Sequence, residues 1–385
     1  MNRISTVYLA ASGLLTLAIA MGVGRFAFTP ILPMMQNDHG LSLRLAGLLA
    51  SSNYVGYFAG ALSAIWMRAT PRVVVRSSLL AIALLTAAMG VVHEPWVWML
   101  LRALAGLASA WILIFASAYI LEQLAAQNRK ELGGVVFGGV GSGIALTGIL
   151  CLLFLNLSWT ADSAWIAAGA VALSLAVPCW PAYAAATQAR PKPKAGASPL
   201  RLRTFSLVIV CYGIFGFGYI IPATFLPAMA RQIVPDPAVF GWVWPVFGTT
   251  ALLSTLAAGG LSSRFPNRLI WAASHAIMAV GVVMPVLLPG VLGIALSACL
   301  VGGTFMVATM TGLQEARALA NEQAPRLMAA ITTAFALGQI AGPLLVSLAA
   351  GSPHGMEMIL VGDAILLLGS GAALAAGAAR RPREQ

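Results

Sequence analysis

Charge is what this 385-residue sequence has least of. Asp, Glu, Lys and Arg make up 9% of it, against about a quarter of an ordinary soluble domain. With so few charges and 60% hydrophobic residues, a water-soluble fold would expose apolar surface nearly everywhere, so that class is excluded. Acids are scarcer than bases, 11 against 22. The resulting positive charge falls in short clusters between apolar runs, with no aromatic platform or basic helix face, and nucleic acid is therefore not expected as a partner. The four cysteines, Cys151, Cys179, Cys211 and Cys299, lie within or at the edge of apolar runs. They show neither metal-ligand spacing nor a disulfide framework and read as small packing residues. No histidine pair has metal spacing, and the glycine-serine stretch Gly141–Gly143 has no base beside it. The phosphate loop G-x-x-x-x-G-K-[ST] is missing, which argues against direct use of ATP. Neither an enzyme nor a cofactor or metal site is expected.

Long apolar runs are what the sequence does have, at a mean hydropathy of +0.90. Crossing a ~30 Å hydrocarbon core takes about 20 residues, and twelve runs qualify, near 6–34, 43–67, 73–92, 96–121, 132–156, 163–186, 204–230, 239–263, 268–289, 291–314, 326–350 and 356–379. Backbone amides in lipid must be satisfied within their own segment, so each span is predicted helical. With the N-terminus inside, all of the 22 basic residues except Arg25, Arg44, Arg102 and Arg231 fall on the cytoplasmic side. That asymmetry follows the positive-inside rule and puts both termini in the cytoplasm. A signal peptide ending at "AIA" (Ala18–Ala20) is the competing reading of the first run, but the run continues to Met35 and has a counterpart later in the chain.

That counterpart is a repeat. "GVGRFAFTPILPMM" (Gly22–Met35) aligns without gaps on "GFGYIIPATFLPAM" (Gly216–Met229), pairing Gly22, Gly24, Leu32, Pro33 and Met35 with Gly216, Gly218, Leu226, Pro227 and Met229. The two copies open spans 1 and 7, which divides the chain into six-helix halves, 1–186 and 204–385. Between them, 187–203 is rich in Pro and basic residues and reads as a flexible cytoplasmic linker. Two parallel halves point to a secondary transporter with its site near the midplane between them.

With these features the sequence resembles the major facilitator superfamily over nearly its whole length. "RALAGLASA" (Arg102–Ala110) is similar to the family's R-x-x-x-G-x-x-x-A pattern in span 4. "GGLSSRFPNR" resembles its loop signature after span 8 through Gly259, Leu261, Arg264 and Arg268, with Ser263 and Pro266 where the family has Asp and Gly, and the resemblance makes Gly259, Arg264 and Arg268 candidates for a cytoplasmic gate. The copy after span 2 keeps Gly60, Leu62 and Arg68 but has Ala64 in place of the acid. "GQIAGP" in span 11 resembles G-x-x-x-G-P, and Gly338, Gly342 and Pro343 are candidates for a moving gate, with generic helix packing as the alternative. The segment "GVGRFAFTP" resembles the YbfB/YjiJ-type branch. The resemblance implies twelve helices in two pseudo-symmetric bundles, working by alternating access, in a bacterial inner membrane as a monomer surrounded by lipid.

Two arginines lie within spans. An arginine mid-span costs about 2.5–3.5 kcal/mol even on the lenient insertion scale and normally faces protein or a watery cavity. In the resembled fold, spans 1 and 4 line the cavity, so Arg25 and Arg102 are candidate contacts for an anionic solute, Arg25 the stronger of the two. The alternative is that each binds backbone carbonyls freed by nearby Gly or Pro. Opposite them Tyr219 occupies the repeat position of Arg25, and Gln339, Asn53, Tyr57, Tyr119 and Trp244 complete the candidate wall. Tyr54, Tyr212 and Trp242 are further polar aromatics on the same spans. A cavity cationic on one side and aromatic or amide on the other suits a small amphipathic organic anion, with facilitated diffusion, anion exchange and coupling to a proton all open. The alternative function is proton-driven efflux of drugs or metabolites.

Overall fold

The computed structural model describes residues 5–64, 67, 69–129, 132–186, 202–234, 241–261, 264–320 and 324–379. Most of the expected linker, the basic residues Arg3, Arg68, Lys130, Arg190, Lys192, Lys194, Arg201, Arg380, Arg381 and Arg383, and Ser263 lie outside them. The described residues are helical throughout their regular structure: α1 (Thr6–Asp38), α2 (Leu43–Ser63), α3 (Pro71–Ala88), α4 (Pro95–Ala126), α5 (Gly133–Asn156), α6 (Ala161–Cys179), α7 (Ser206–Ile233), α8 (Val243–Leu261), α9 (Asn267–Leu287), α10 (Val291–Ala320), α11 (Ala324–Ala349) and α12 (Gly355–Ala379).

Ten of these are long and apolar enough to cross a membrane, and Val243–Ala258 of α8 is a shorter apolar stretch. Among the described residues, Leu43–Ser63 of α2 is not one of these apolar stretches; Arg44 and the polar run Ser51–Tyr54 lower its hydropathy. Helix starts are set by local chemistry. Ser42, Thr70 and Thr160 accept from the amides of Leu45, Val73 and Ser163 at 3.2, 3.4 and 3.3 Å, satisfying donors that the first turn leaves free. Pro71 and Pro95 sit at helix starts, where their missing N–H has no partner to lose.

The packing repeats along the chain. In the first six helices α1 packs on α5, α2 on α4, α3 on α4 and α3 on α6; in the last six, α7 packs on α11, α8 on α10, α9 on α10 and α9 on α12. These are the same four pairings shifted by six helices. Between the two sets α2 packs on α11, α5 on α8 and the end of α1 on α7, and each of these contacts maps onto itself or another when the two sets are exchanged.

Glycine makes the closest of these contacts possible. A Cβ on Gly22 of α1 would lie 2.4–2.6 Å from the backbone of Gly143 in α5, and one on Gly248 of α8 would lie 2.2 Å from the amide of Ala145 in α5. Helix backbones touch here, as small residues at helix interfaces allow.

Candidate functional site

The site grows out of a break in α1. Residues Ala18–Phe26 are π-helical, between the α-helical stretches Thr6–Leu17 and Phe28–Asp38. A π-helical turn displaces backbone bonding and recurs at functional sites. Here the carbonyls around the break are taken by side chains of two other helices. Ser109 of α4 donates to the carbonyl of Ala20 at 2.8 Å. Asn53 of α2 donates to Gly24 at 3.2 Å and to the carbonyl of Arg102 at 2.8 Å. Arg102 of α4 donates to Gly24 at 3.3 Å through Nη1 and to Arg25 at 2.8 Å through Nη2, with its guanidinium 5.1 Å from the Phe28 ring centre. Arg102 and Asn53, both buried, therefore support the backbone of the segment that carries Arg25, the carbonyl-binding alternative weighed above.

Arg25 differs. It is 1% exposed, and its guanidinium lies over Tyr57 at 4.0 Å from the ring centre, with Phe26 and Tyr54 at 5.2 and 5.3 Å. Among the described residues its Nε and Nη2 have no hydrogen-bond partner and it makes no ion pair. These two nitrogens lie along one edge of the guanidinium, the edge that takes both oxygens of a carboxylate side on. Stacking on an aromatic face steadies the cation without using its donors.

The last six helices contribute an aromatic and amide group linked to this segment through Trp244 and Phe26. Gln339 of α11 donates through Nε2 to the hydroxyl of Tyr219 on α7, joining two residues predicted separately from the sequence. The Tyr219 ring is stacked between Phe305 and Phe335, at 5.3 and 5.5 Å. From Phe305 the aromatics run through Phe247 (5.5 Å) and Trp244 (4.9 Å further) to Phe26 (6.0 Å), the neighbour of Arg25. Tyr54 meets Thr224 of α7 at 3.2 Å between hydroxyls.

Arg25, Tyr57, Asn53, Arg102, Tyr219, Gln339 and Trp244 thus form one connected cluster. Tyr119 stands apart: it is 17 positions along α4 from Arg102, about 25 Å at 1.5 Å per residue, and its ring faces Tyr183 at 5.8 Å. The phenylalanines Phe26, Phe247, Phe305 and Phe335 were missed, since nothing in a chain with 15 Phe marks four of them as belonging together.

Among the gate candidates, Gly338 packs against the backbone of Gly213 and Phe217, and Gly342 against Ile220, so both fit α11 to α7. The carbonyl of Pro343 lies against Gly47 of α2. Arg268 pairs with Glu315 of α10 at 3.0 Å and donates to the carbonyl of Gly377 in α12 at 3.0 Å, tying three helices of the same set. Arg264 is exposed in the turn after α8, which ends just past Gly259. A contact the sequence reading did not foresee is Arg231 at the end of α7, which donates to the Pro33 carbonyl at 2.5 Å and to Asn37 Oδ1 at 3.1 Å.

The family model described as "Uncharacterised MFS-type transporter YbfB" matches residues 17–377. The chain belongs to this major facilitator family. Among solved structures, the fold of this YbfB-type transporter is similar to that of a point mutant of the nucleoside transporter NupG, with a TM-score of 0.70 over 96% of this chain and 99% of that one, at 14% sequence identity. No curated protein matches the sequence. The π-helical break and Arg25 lie inside the matched region. The protein is accordingly a multi-pass membrane transporter with a small-molecule substrate.

Proposed function

We propose that this YbfB-type transporter carries a small amphipathic organic anion, such as an aromatic or branched carboxylate, by alternating access. The observation that carries the reading is the free edge of Arg25. A buried donor left unpaired costs about 1–3 kcal/mol, more when charged, and none of the described residues supplies an anion there. A carboxylate bound side on would satisfy Nε and Nη2 together, while the Phe305–Tyr219–Phe335 stack and Gln339 would receive its apolar and neutral parts. In this account the chain has twelve spans, with bundles 1–186 and 204–385 joined by 187–203. Both termini are cytoplasmic, and the protein acts as a monomer in the inner membrane. The bundles rock about the paired α1/α7, α2/α11 and α5/α8 contacts. Their hydrogen bonds Thr29–Ala223, Ser51–Ile340 and Arg231–Pro33 would hold one end shut and part when the site opens to that side.

A second reading rests on the aromatic wall alone. Stacked rings with one amide would also suit a flat neutral solute, the class to which the nucleosides of the NupG name belong, or the cargo of a drug or metabolite exporter. A thermal-shift screen of the detergent-purified protein separates the two, because a ligand of the folded state raises apparent stability by mass action, about 2.7 kcal/mol at a hundredfold excess over Kd. The panel is aromatic and aliphatic carboxylates, phosphates, nucleosides and cationic dyes. Stabilisation by carboxylates that is lost in Arg25→Gln supports the anion carrier. Stabilisation by nucleosides or dyes that Arg25→Gln leaves intact supports the second reading.

A further inference from the structure

The connections on the face that the charge count assigns to the outside bring together three ligand-type side chains from distant parts of the sequence. His39 follows α1, His93 precedes α4 and Asp162 lies in the first turn of α6. His39 Nε2 is 2.9 Å from Asp162 Oδ1 and His93 Nε2 is 3.0 Å from Oδ2. One potential ligand atom from each residue falls within 4.8 Å of the other two. We propose that these residues form a binding site for a borderline divalent transition-metal ion of the Zn2+ type, with two imidazoles and a carboxylate as ligands and solvent in the fourth position.

The donor set fits that ion. Two neutral imidazoles and one carboxylate are ligands of zinc and its neighbours, whereas Ca2+ and Mg2+ take oxygen donors. Bonds of about 2.0–2.2 Å in a tetrahedral arrangement place ligand atoms roughly 3.4 Å apart, a few tenths of an ångström beyond the two separations seen here. Each imidazole would turn the lone pair of Nε2 to the ion and keep its proton on Nδ1. The exposures of His39, His93 and Asp162, 21%, 55% and 30%, leave the ion an entry path.

The surrounding chain holds the three in place without using their ligand atoms. Asp38, next to His39, accepts from the amide of Ala161 at 2.7 Å, tying the end of α1 to the start of α6. Trp98 Nε1 donates to the carbonyl of Met89 at 3.1 Å. A Cβ on Gly90 would lie 2.2 Å from the carbonyl of Asp162, so the turn before His93 is pressed against the third ligand. Trp98 also packs edge-on against both imidazoles, at 5.5 and 6.5 Å. A bound ion would lock together the ends of α1, α4 and α6. Sequence spacing hid this site because the residues are 54 and 69 positions apart along the chain.

The test uses full-length protein purified in detergent and stripped with a chelator, titrated with Zn2+, Co2+ and Ca2+. The site predicts one saturable equivalent of Zn2+, a raised Tm, the visible spectrum of low-symmetry Co2+, and no comparable effect of Ca2+. His39→Gln, His93→Gln and Asp162→Asn should each weaken Zn2+ binding tenfold or more, while His354→Gln, on the exposed turn between α11 and α12, leaves it unchanged. Should one of the His39 or Asp162 variants fail to fold, the most exposed ligand, His93, still decides. Absence of a saturable equivalent, equal binding by His93→Gln, or equal stabilisation by Ca2+ would overturn the proposal and leave the cluster as a hydrogen-bonded latch.

Discussion

The hydroxyl of Thr29 donates to the carbonyl of Ala223 at 2.8 Å, across a separation of 194 residues. That is the offset at which the two G-x-G…L-P-x-M segments align, so the residues are repeat equivalents that touch each other. Arg231 and Asn37, also 194 apart, do the same about two turns further along α1 and α7. Contact between equivalents is the mark of a two-fold interface, where one patch meets its own copy.

If the α1 and α7 ends close and part during transport, tethering them stops it. The pair Thr29→Cys and Ala223→Cys is expected to cross-link under mild oxidation, since the side chain at position 29 already reaches the backbone of residue 223. Transport should fall to background in the oxidised protein and return on reduction. Unchanged flux through a fully cross-linked sample would show that these ends do not move.

Arg231→Ala removes two hydrogen bonds from the same seam. At about 0.5–1.5 kcal/mol each, their loss should shift the closed arrangement by about 1–3 kcal/mol, a factor of roughly 5–150 in population. Alkylation of a cysteine placed at Ala223, buried beside Thr29, should accelerate within that range.

The two buried arginines should respond differently to removal. Arg102→Met leaves the carbonyls of Gly24 and Arg25 without these donors, and a loss of about 2–5 kcal/mol follows from unpairing buried groups. Arg25→Met removes a guanidinium edge that has no partner among the described residues and should leave stability unchanged or raise it by about 1–3 kcal/mol while impairing transport, the trade-off common at functional sites. Thermal unfolding of both variants beside the parent checks the sign of each.

This contrast marks how far the sequence could be read. Apolar run lengths and the placement of basic residues anticipated the helices to within a turn or two at most ends, because hydropathy depends only on composition along the chain. The repeat anticipated that α1 and α7 correspond, and the lone charge in an apolar run singled out Arg25. What separated Arg25 from Arg102 was out of reach. Both are arginines near glycines, and only the π-helical path of Ala18–Phe26 decides which carbonyls need a donor and that Arg102 supplies it. Tyr119 looked equivalent to Tyr57 for the same reason, since residue type does not say how far along a helix the cluster extends. The aromatic chain from Phe26 to Tyr219 is assembled from four helices and leaves no mark in any one of them.

The Tyr219–Gln339 pair predicts a coupled response. Tyr219→Phe strands the Gln339 amide and Gln339→Leu strands the Tyr219 hydroxyl, each costing about 1–3 kcal/mol. The double variant should recover part of that, giving a coupling of about 0.5–3 kcal/mol in a double-mutant cycle by thermal unfolding. Additive losses would show that the two side chains act independently.

The central claim is that Arg25 holds the anionic group of the transported solute. The measurement that tests it most directly is uptake of a stabilising carboxylate into proteoliposomes containing the parent, Arg25→Lys or Arg25→Gln, with the uncharged amide of the same compound as competitor. The account predicts that Arg25→Gln loses roughly 30-fold or more of the carboxylate flux, that Arg25→Lys keeps a small part of it because a point charge replaces a two-pronged donor, and that the amide competes poorly against the parent. Carboxylate flux through Arg25→Gln equal to that of the parent, with a folded variant and an amide that competes as well as the acid, would contradict it.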